Sequence, residues 1–202
     1  MEKKHLDVVV CIHVTSFPEF FSTLLGSRYI RVVYAEILEI PEHVAFVALD
    51  NISGEVIGFI NGFTQQTHFY RHMARKKWLP IAVACLSAVV RYPQIIGRLF
   101  RAFTYPHKSQ KAAADALLLS VAVLPSDKGR GVGEALVDSF LDEMKKRGTR
   151  AVCLTTDQEN NEHTNRFYLR LGFGVVRTYT TAEGRQINEY LIDLTKSEGH
   201  DC

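Results

Sequence analysis

The sequence predicts an α/β domain with a helical insertion before its central strand. Short apolar stretches rich in β-branched and aromatic residues alternate with longer stretches whose apolar residues recur at helical spacing. Residues 117–123 form an apolar, strand-like run that leads through a glycine-rich basic turn into an amphipathic helix. The 202 residues are enough for one domain with a full core and one insertion.

Periodicity and turn residues place each element. Pro18 and Gly26 separate helices in the N-terminal part, and the Asp-Asn-Ile-Ser-Gly sequence at 50–54 favours a hairpin turn. The largely apolar composition of 115–124 predicts a strand that is buried on both faces. The predicted helices are 7–14, 19–27, 28–40, 133–147 and 161–171. The predicted strands are 44–49, 55–63, 115–124, 150–156, 175–181 and 186–194.

Residues 64–114 interrupt this alternation. The segment is basic, apolar and compatible with helix, and Pro80, Pro93 and Pro106 divide it into about three predicted helices. All 22 acidic residues of the chain lie outside 56–114, whereas nine of the 24 basic residues lie inside it. These nine are Arg71, Arg75, Lys76, Lys77, Arg91, Arg98, Arg101, Lys108 and Lys111. Such segregation of charge predicts an anionic partner for one face.

The most informative segment is the Lys-Gly-Arg-Gly-Val-Gly turn at 128–133, between the apolar run at 117–123 and the following helix. Backbone N–H groups at a helix N-terminus can bind an anion, the helix dipole favours negative charge there, and glycine lets the backbone approach a bulky group. The turn therefore predicts a phosphate site. The spacing from Lys128 through Gly131 to Gly133 resembles the acetyl-CoA pyrophosphate loop of the GCN5-related N-acetyltransferase (GNAT) family, which usually begins with Gln or Arg.

A second segment strengthens this resemblance. Residues 161–173 contain Asn161, a Phe-Tyr pair ending at Tyr168, and a Gly-Phe pair that begins at Gly172. This order is similar to the other signature of the GNAT family, in which Ala usually stands where this chain has Thr164. The segment follows the glycine-rich turn after one helix and one strand, as the family pattern requires.

The resemblance implies a fold and a reaction. The fold is a mixed central β-sheet flanked by helices, in a single N-acetyltransferase domain over 1–202 with a helical basic insertion at about 64–114. The reaction is transfer of acetyl from acetyl-CoA to a primary amine by direct attack in a ternary complex. The family's usual first strand could correspond only to residues 2–6, which are polar. We therefore expect that strand to be missing or truncated.

The resemblance also implies how acetyl-CoA is held. The backbone N–H groups expected to bind the pyrophosphate belong to Gly129, Arg130, Gly131, Val132 and Gly133. Lys128 and Arg130 add charged contacts. Val121 pairs its main chain with the pantetheine arm, and Val123 supplies a backbone donor to the thioester carbonyl. Asn161 binds the pantetheine or an associated water.

Two proton transfers need side chains. Tyr168 stands where the family's general acid stands, and a phenol near the sulfur can protonate the departing thiolate. The amine must lose a proton before attack, and the family often uses an acidic residue on the central strand. Asp115, at the head of that strand, is the first candidate for this base, and Asp157 is the second.

The sequence indicates the identity of the acceptor less clearly than that of the cofactor. An amino sugar, carried on a nucleotide or a lipid phosphate, is the first prediction, while another small amine or a protein N-terminus or lysine stays open. The alternative function is a non-catalytic acyl-CoA-binding or membrane-associated module. The basic insertion could contact an anionic membrane, close over a phosphorylated acceptor, or present solvated helix faces.

Cysteine and histidine spacing limits the other classes of function. The four cysteines have no paired spacing and the histidines have no ligand spacing, which predicts neither a disulfide framework nor a metal site and favours the cytoplasm. No RNA-binding motif accompanies the basic charge, so a nucleic-acid partner is not expected. The oligomeric state stays open, with a homodimer as one option.

Overall fold

The computed structural model describes residues 1–64, 83, 114–181 and 183–195. The helices with described bounds are α1 (Leu6–Ser16), α2 (Phe21–Leu24), α3 (Ser27–Ile37), α4 (Val132–Lys146) and α5 (Glu162–Arg170). The strands are β1 (His43–Leu49), β2 (Val56–Thr64), β3 (Ala116–Val123), β4 (Ala151–Asp157), β5 (Gly174–Thr180) and β6 (Gln186–Asp193). The predicted insertion at 64–114 lies outside the described residues, apart from Thr64, Val83 and Ala114.

The described strands form one mixed sheet in the order β1-β2-β3-β4-β6-β5. β3 and β4 run parallel to each other, and every other neighbouring pair is antiparallel. The strand predicted at 115–124 is β3, which lies inside the sheet between β2 and β4. A mixed sheet with helices on both faces confirms the predicted fold class.

A different set of helices covers each face of the sheet. α4 and α5 pack on one face, in a core that includes Ile60, Phe140 and Tyr190. α1 and α3 cover the other face, where Phe59 and Tyr34 belong to the second core. Buried residues on α4 recur at helical spacing, because only one side of an amphipathic helix faces the sheet.

Gly62 of β2 allows α4 to approach the sheet closely. A Cβ atom at this position would lie 2.3 Å from the carbonyl oxygen of Leu117 and 2.5 Å from Cζ of Phe140. The Phe140 ring is fully buried, so it has no space into which it could move. Glycine is therefore required where β2, β3 and α4 meet.

A β-bulge in β3 changes the layer that its side chains face. Asn61 pairs with Ser120, but the next residue, Gly62, pairs with Leu118, so Leu119 is an extra residue in β3. Leu118 consequently packs with α4 and α5, whereas Ala122 packs with α1 and α3. Leu119 itself is 39% exposed, and the prediction of full burial on both faces is wrong there.

The chain enters the fold through a helix. Lys3–His5 form a 3-10 helix that leads into α1, so residues 2–6 do not supply the family's usual first strand, as we expected. Among the described residues, no helix is both long and apolar enough to cross a membrane. The same part of the chain contains no group of three or more His, Cys, Asp and Glu side chains that could hold a metal ion.

Candidate active site

The sheet opens between its two parallel strands. β3 and β4 pair only near their first residues, Ala116 with Val152 and Leu117 with Cys153. Beyond these residues the two strands diverge, and β4 continues to pair with β6 alone. We name this divergence the β3–β4 opening. Among the described strands, none pairs with the C-terminal half of β3 on that side.

Val121 and Val123 lie along the unpaired edge of β3. The amide of Leu124 donates a hydrogen bond of 2.9 Å to the carbonyl of Ile57 on the β2 side. Because bonded and non-bonded residues alternate in an antiparallel pair, the main-chain groups of Val121 and Val123 point away from β2 and into the opening. An extended ligand can hydrogen-bond to such an edge as an added strand does. This is the edge at which the resemblance to the GNAT family places the pantetheine arm.

The glycine-rich loop at 128–133 ends at the N-terminus of α4. Gly129 and Gly131 have φ angles of 81° and 78°, in the left-handed region that favours glycine. A Cβ atom at either position would meet no described atom within 4 Å beyond its chain neighbours, so the described structure leaves open space there. Gly131 is the N-cap residue without a capping side chain, and its carbonyl accepts from the amide of Ala135 at 3.0 Å. The amides of the first helical turn are therefore free to bind an anion such as pyrophosphate.

The two cations of the loop differ in their surroundings. The Arg130 guanidinium donates to Asp127 and, at 3.3 Å, to Asp50 in the turn between β1 and β2. Backbone amides of that turn, together with Arg130, lower the pKa of Asp50. The Arg130 side chain thus fastens the loop to the turn between β1 and β2. Lys128 is exposed and has no ion-pair partner among the described residues, so its charge is available to a ligand.

α5 contacts the start of α4 through Phe167. A Cβ atom on Gly133 would lie 3.6 Å from Cζ of Phe167 and 3.8 Å from Cγ2 of Val123. Gly133 therefore lies where helix α4, helix α5 and strand β3 meet. The ring of Tyr168 follows that of Phe167 at a centroid distance of 5.2 Å, which brings Tyr168 into the same region as the loop.

Tyr168 is a buried phenol with an unpaired hydroxyl. Its ring is 6% exposed and packs at centroid distances of 5.7 Å from Phe173 and 5.9 Å from Tyr190. The hydroxyl has no hydrogen-bond partner among the described residues, and its oxygen is not completely enclosed by the protein. Burial raises the pKa of Tyr168. The raised pKa keeps the phenol in the protonated form that a general acid requires.

Asn161 and Asn165 attach the first turn of α5 to the end of β4. Asn161 donates to the hydroxyl of Thr156 and, at 3.2 Å, to the carbonyl of Asp157. Asn165 donates to the same carbonyl at 3.1 Å and accepts from the Tyr190 hydroxyl at 2.8 Å. Sequence reasoning singled out Asn161 and missed Asn165, although the spacing of one helical turn between them was an available signal. Both residues position the helix that carries Tyr168.

Asp115 lies far from the other residues of the candidate site. It precedes the paired end of β3, about 26 Å along the strand from Val123 at the usual rise per residue. Its carboxylate accepts from the amide of Arg150 at 3.0 Å and from Nε at 3.2 Å, and the Arg150 side chain lowers the pKa of Asp115. Asp157, the second candidate, accepts from Arg185 at 2.5 Å. Catalysis by Asp115 stays a prediction, which this position and pairing disfavour.

We expect Asp115→Asn to change kcat little. The pKa of Asp115 is lowered in the fold, so its carboxylate stabilises the protein above the ordinary aspartate pKa and ceases to do so as the pH falls through the lowered value. Melting temperatures across pH should therefore show a small deficit for the variant at neutral pH that closes in acid. Loss of turnover with acetyl-CoA binding intact would instead support Asp115 as the base.

Three features of this site are those expected of an acyl-CoA-dependent transferase. They are a strand edge open to an extended ligand, a helix N-terminus suited to an anion, and a buried phenol beside them. The model of the Acetyltransferase (GNAT) family matches residues 9–173, and the chain belongs to this family. GNAT enzymes use acetyl-CoA as the acetyl donor. A search of curated proteins returned no match.

Several solved structures, two of them named as N-acetyltransferases, are similar in fold to this chain. The crystal structure of SsHAT is 24% identical, with a TM-score of 0.67 and coverage of 97% of this chain and 96% of that one. The Escherichia coli ribosomal-protein-S18-alanine N-acetyltransferase is 16% identical, with a TM-score of 0.60 and coverage of 99% and 94%. An aminoglycoside 6'-N-acetyltransferase complexed with coenzyme A is 16% identical, with a TM-score of 0.60 and coverage of 95% and 92%.

Proposed function

We propose that this protein transfers acetyl from acetyl-CoA to a primary amine by direct attack in a ternary complex. One observation supports the proposal most strongly. The β3–β4 opening, the glycine-rich loop and the unpaired Tyr168 hydroxyl lie near one another in the fold. An extended thioester with a pyrophosphate at its far end needs these features together.

Each part of the site has a proposed role toward acetyl-CoA. The amides of Gly129 to Gly133 bind the pyrophosphate, and Lys128 adds a charge that no described carboxylate neutralises. The main chain of Val121 aligns the pantetheine arm, and that of Val123 donates to the thioester carbonyl. Asn161 orients the first turn of α5 and contributes to the pantetheine side. Tyr168 donates a proton to the departing sulfur.

The surroundings of Cys153 support direct attack. An acyl-enzyme would need an accessible thiolate near the opening. Cys153 is the described cysteine nearest to the opening, but it is 3% exposed and lies at the paired end of β4. Direct attack requires only that the amine and the thioester bind together.

An amino sugar or another small amine is the proposed acceptor class, in a single domain that spans 1–202. The solved relatives include an enzyme named for an aminoglycoside and one named for a ribosomal-protein alanine, so the family fold accommodates both small and protein amines. A protein N-terminus is therefore the second candidate acceptor. The acid-free basic segment would favour an acceptor that carries phosphate.

An amine panel tests the proposal. Purified protein is incubated with acetyl-CoA and amino sugars, polyamines, aminoglycosides or peptides with free N-termini, and both thiol release and acetylated product are measured. We expect thiol release that depends on one class of amine and matches product one to one. Tight acetyl-CoA binding with no acetylated product from any amine would support the non-catalytic binding module instead.

A further inference from the structure

A chain of buried polar side chains lies under the sheet on the face covered by α1 and α3. The Tyr34 hydroxyl and Nδ1 of His13 are 2.9 Å apart, and Nε2 of His13 is 3.0 Å from the hydroxyl of Ser22. Tyr34 is 3% exposed and His13 is 6% exposed, whereas Ser22 on α2 is only half-buried. This series of polar side chains, which we name the polar chain, therefore leads from the protein interior toward the surface at α2.

The inner end of this chain reaches the β-bulge of β3. Asn61 and Ser120 are register partners beside the bulge, and both lie close enough to the Tyr34 hydroxyl to influence its pKa. Asn61 is 0% exposed, and no hydrogen bond of regular geometry joins its amide nitrogen or oxygen to a described residue. A core selected for packing alone would not retain a fully buried amide without partners.

The position of this inner end matters for the proposed reaction. Ser120 directly precedes Val121, whose main chain points into the β3–β4 opening. Tyr168 and α4 pack on the opposite face of the sheet from Tyr34. Tyr168, the proposed proton donor, thus packs on one face of the sheet, and Tyr34, the inner end of the polar chain, packs on the other.

The reaction has one proton to dispose of. An ammonium acceptor and acetyl-CoA give an amide, the CoA thiol and one free proton, since the N–C bond forms, the C–S bond breaks and two protons leave the nitrogen. Tyr168 gives its proton to the sulfur and recovers one of the two. The other must reach solvent.

We propose that Tyr34, His13 and Ser22 form the path by which this second proton leaves the acceptor nitrogen, with the partly exposed Ser120 at the acceptor end and the buried Asn61 positioning Tyr34. This inference rests on the proposed function. A hydroxyl and a neutral imidazole can each accept a proton on one side while releasing one on the other. The path ends at Ser22, where solvent accepts the proton.

The electrostatic surroundings fit a neutral His13. Burial lowers the pKa of His13 to about 4, and no charged side chain contributes to that shift. Among the described residues, the imidazole contacts Tyr34 from α3, Ser22 from α2, Phe59 from β2 and Phe17 after α1. Of these, only Tyr34 can titrate, and burial raises its pKa so that its hydroxyl stays protonated.

The test is the pH dependence of Tyr34→Phe, which removes one hydroxyl and keeps the ring. Below the pKa of the acceptor amine, we expect kcat to fall about 100-fold, the lower end of the range for positioned proton transfer. Above that pKa the acceptor arrives neutral, no net proton is released, and the variant should approach the wild-type rate. Affinity for acetyl-CoA should not change. Tyr179→Phe, which removes a half-buried phenol hydroxyl on β5, is the matched control and should follow the wild type.

Ser22→Ala provides a second variant at the half-buried exit, where the fold is less sensitive to substitution. It should show the same pH-dependent loss, and the double variant Ser22→Ala with Tyr34→Phe should lose no more than the larger single loss, since both lie on one path. A loss that is equal at all pH values, or no loss, would overturn the path while leaving acetyl transfer intact. Absence of acetyl transfer by the wild type to any amine would overturn the proposed function and the path together.

Discussion

Gly131→Asp should reduce the affinity for CoA by about 100-fold or more, which corresponds to roughly 2.7 kcal/mol. The carboxylate would project into the open space in front of the loop, where a Cβ atom at Gly131 would lie more than 4 Å from every described residue other than its chain neighbours. It would accept hydrogen bonds from the same α4 amides that we expect to bind the pyrophosphate, and it would repel that anion. Isothermal titration of each variant with CoA measures the loss.

Two controls separate charge from strain in this experiment. Gly131→Asn has nearly the same shape and the same tolerance of the left-handed region but no charge, so its affinity should lie between wild type and Gly131→Asp. Gly184→Asp introduces the same side chain at a φ of 82° in the turn between β5 and β6, and it should bind CoA as the wild type does. Full CoA affinity in Gly131→Asp would show that the pyrophosphate is bound elsewhere.

Tyr168→Phe should lower kcat by about 100-fold, within the usual range for general acid catalysis, and leave the affinity for acetyl-CoA nearly unchanged. The hydroxyl has no partner among the described residues, so its removal should not lower the melting temperature. Since burial raises the pKa of Tyr168, its deprotonation should not limit the wild-type rate even in moderately alkaline solution. Steady-state kinetics with the best acceptor measure the effect.

Tyr190→Phe is the matched control for this prediction. The Tyr190 ring lies 5.9 Å from that of Tyr168, but its hydroxyl donates to Asn165 at 2.8 Å. The substitution should therefore cost about 1 kcal/mol of stability through the lost hydrogen bond, with only a small effect on kcat. Equal turnover by Tyr168→Phe and the wild type would remove Tyr168 from the mechanism.

The sequence contained local signals for most of the described fold. Turn residues and periodicity placed the helices and strands within a few positions, because caps, glycines and amphipathic patterns act over short distances. The glycine spacing at 128–133 likewise predicted the helix N-terminus that the structure has. Features of this kind depend on neighbours in sequence, so one sequence is sufficient to find them.

Features that depend on tertiary contacts could not be predicted in the same way. The sequence suggested that Arg130 and Asp115 act on ligands, but Arg130 pairs with an aspartate in the turn between β1 and β2 and Asp115 pairs with Arg150. Nothing local encodes those partners. The bulge at Leu119 also shifts the alternation of β3, so a strict period of two misplaces its side chains.

One residue of the buried polar chain could have been recognised from the sequence. Asn61 stands in the middle of an apolar strand, where a buried amide needs an explanation. His13 and Tyr34 gave no comparable signal, because each lies in a helix whose buried side is known only from the packing of α1 against α3. Only tertiary contacts bring His13 and Tyr34 together.

The most direct measurement is a rapid-quench experiment with acetyl-CoA labelled in its acetyl group, followed by mass spectrometry of the protein and of the acceptor. We expect the label to appear on the amine nitrogen in the first turnover, with no labelled protein at any time and with transfer abolished at low acetyl-CoA in Gly131→Asp. Label that accumulates on the protein, or that is released as acetate while the amine stays unmodified, would contradict direct acetyl transfer at the β3–β4 opening.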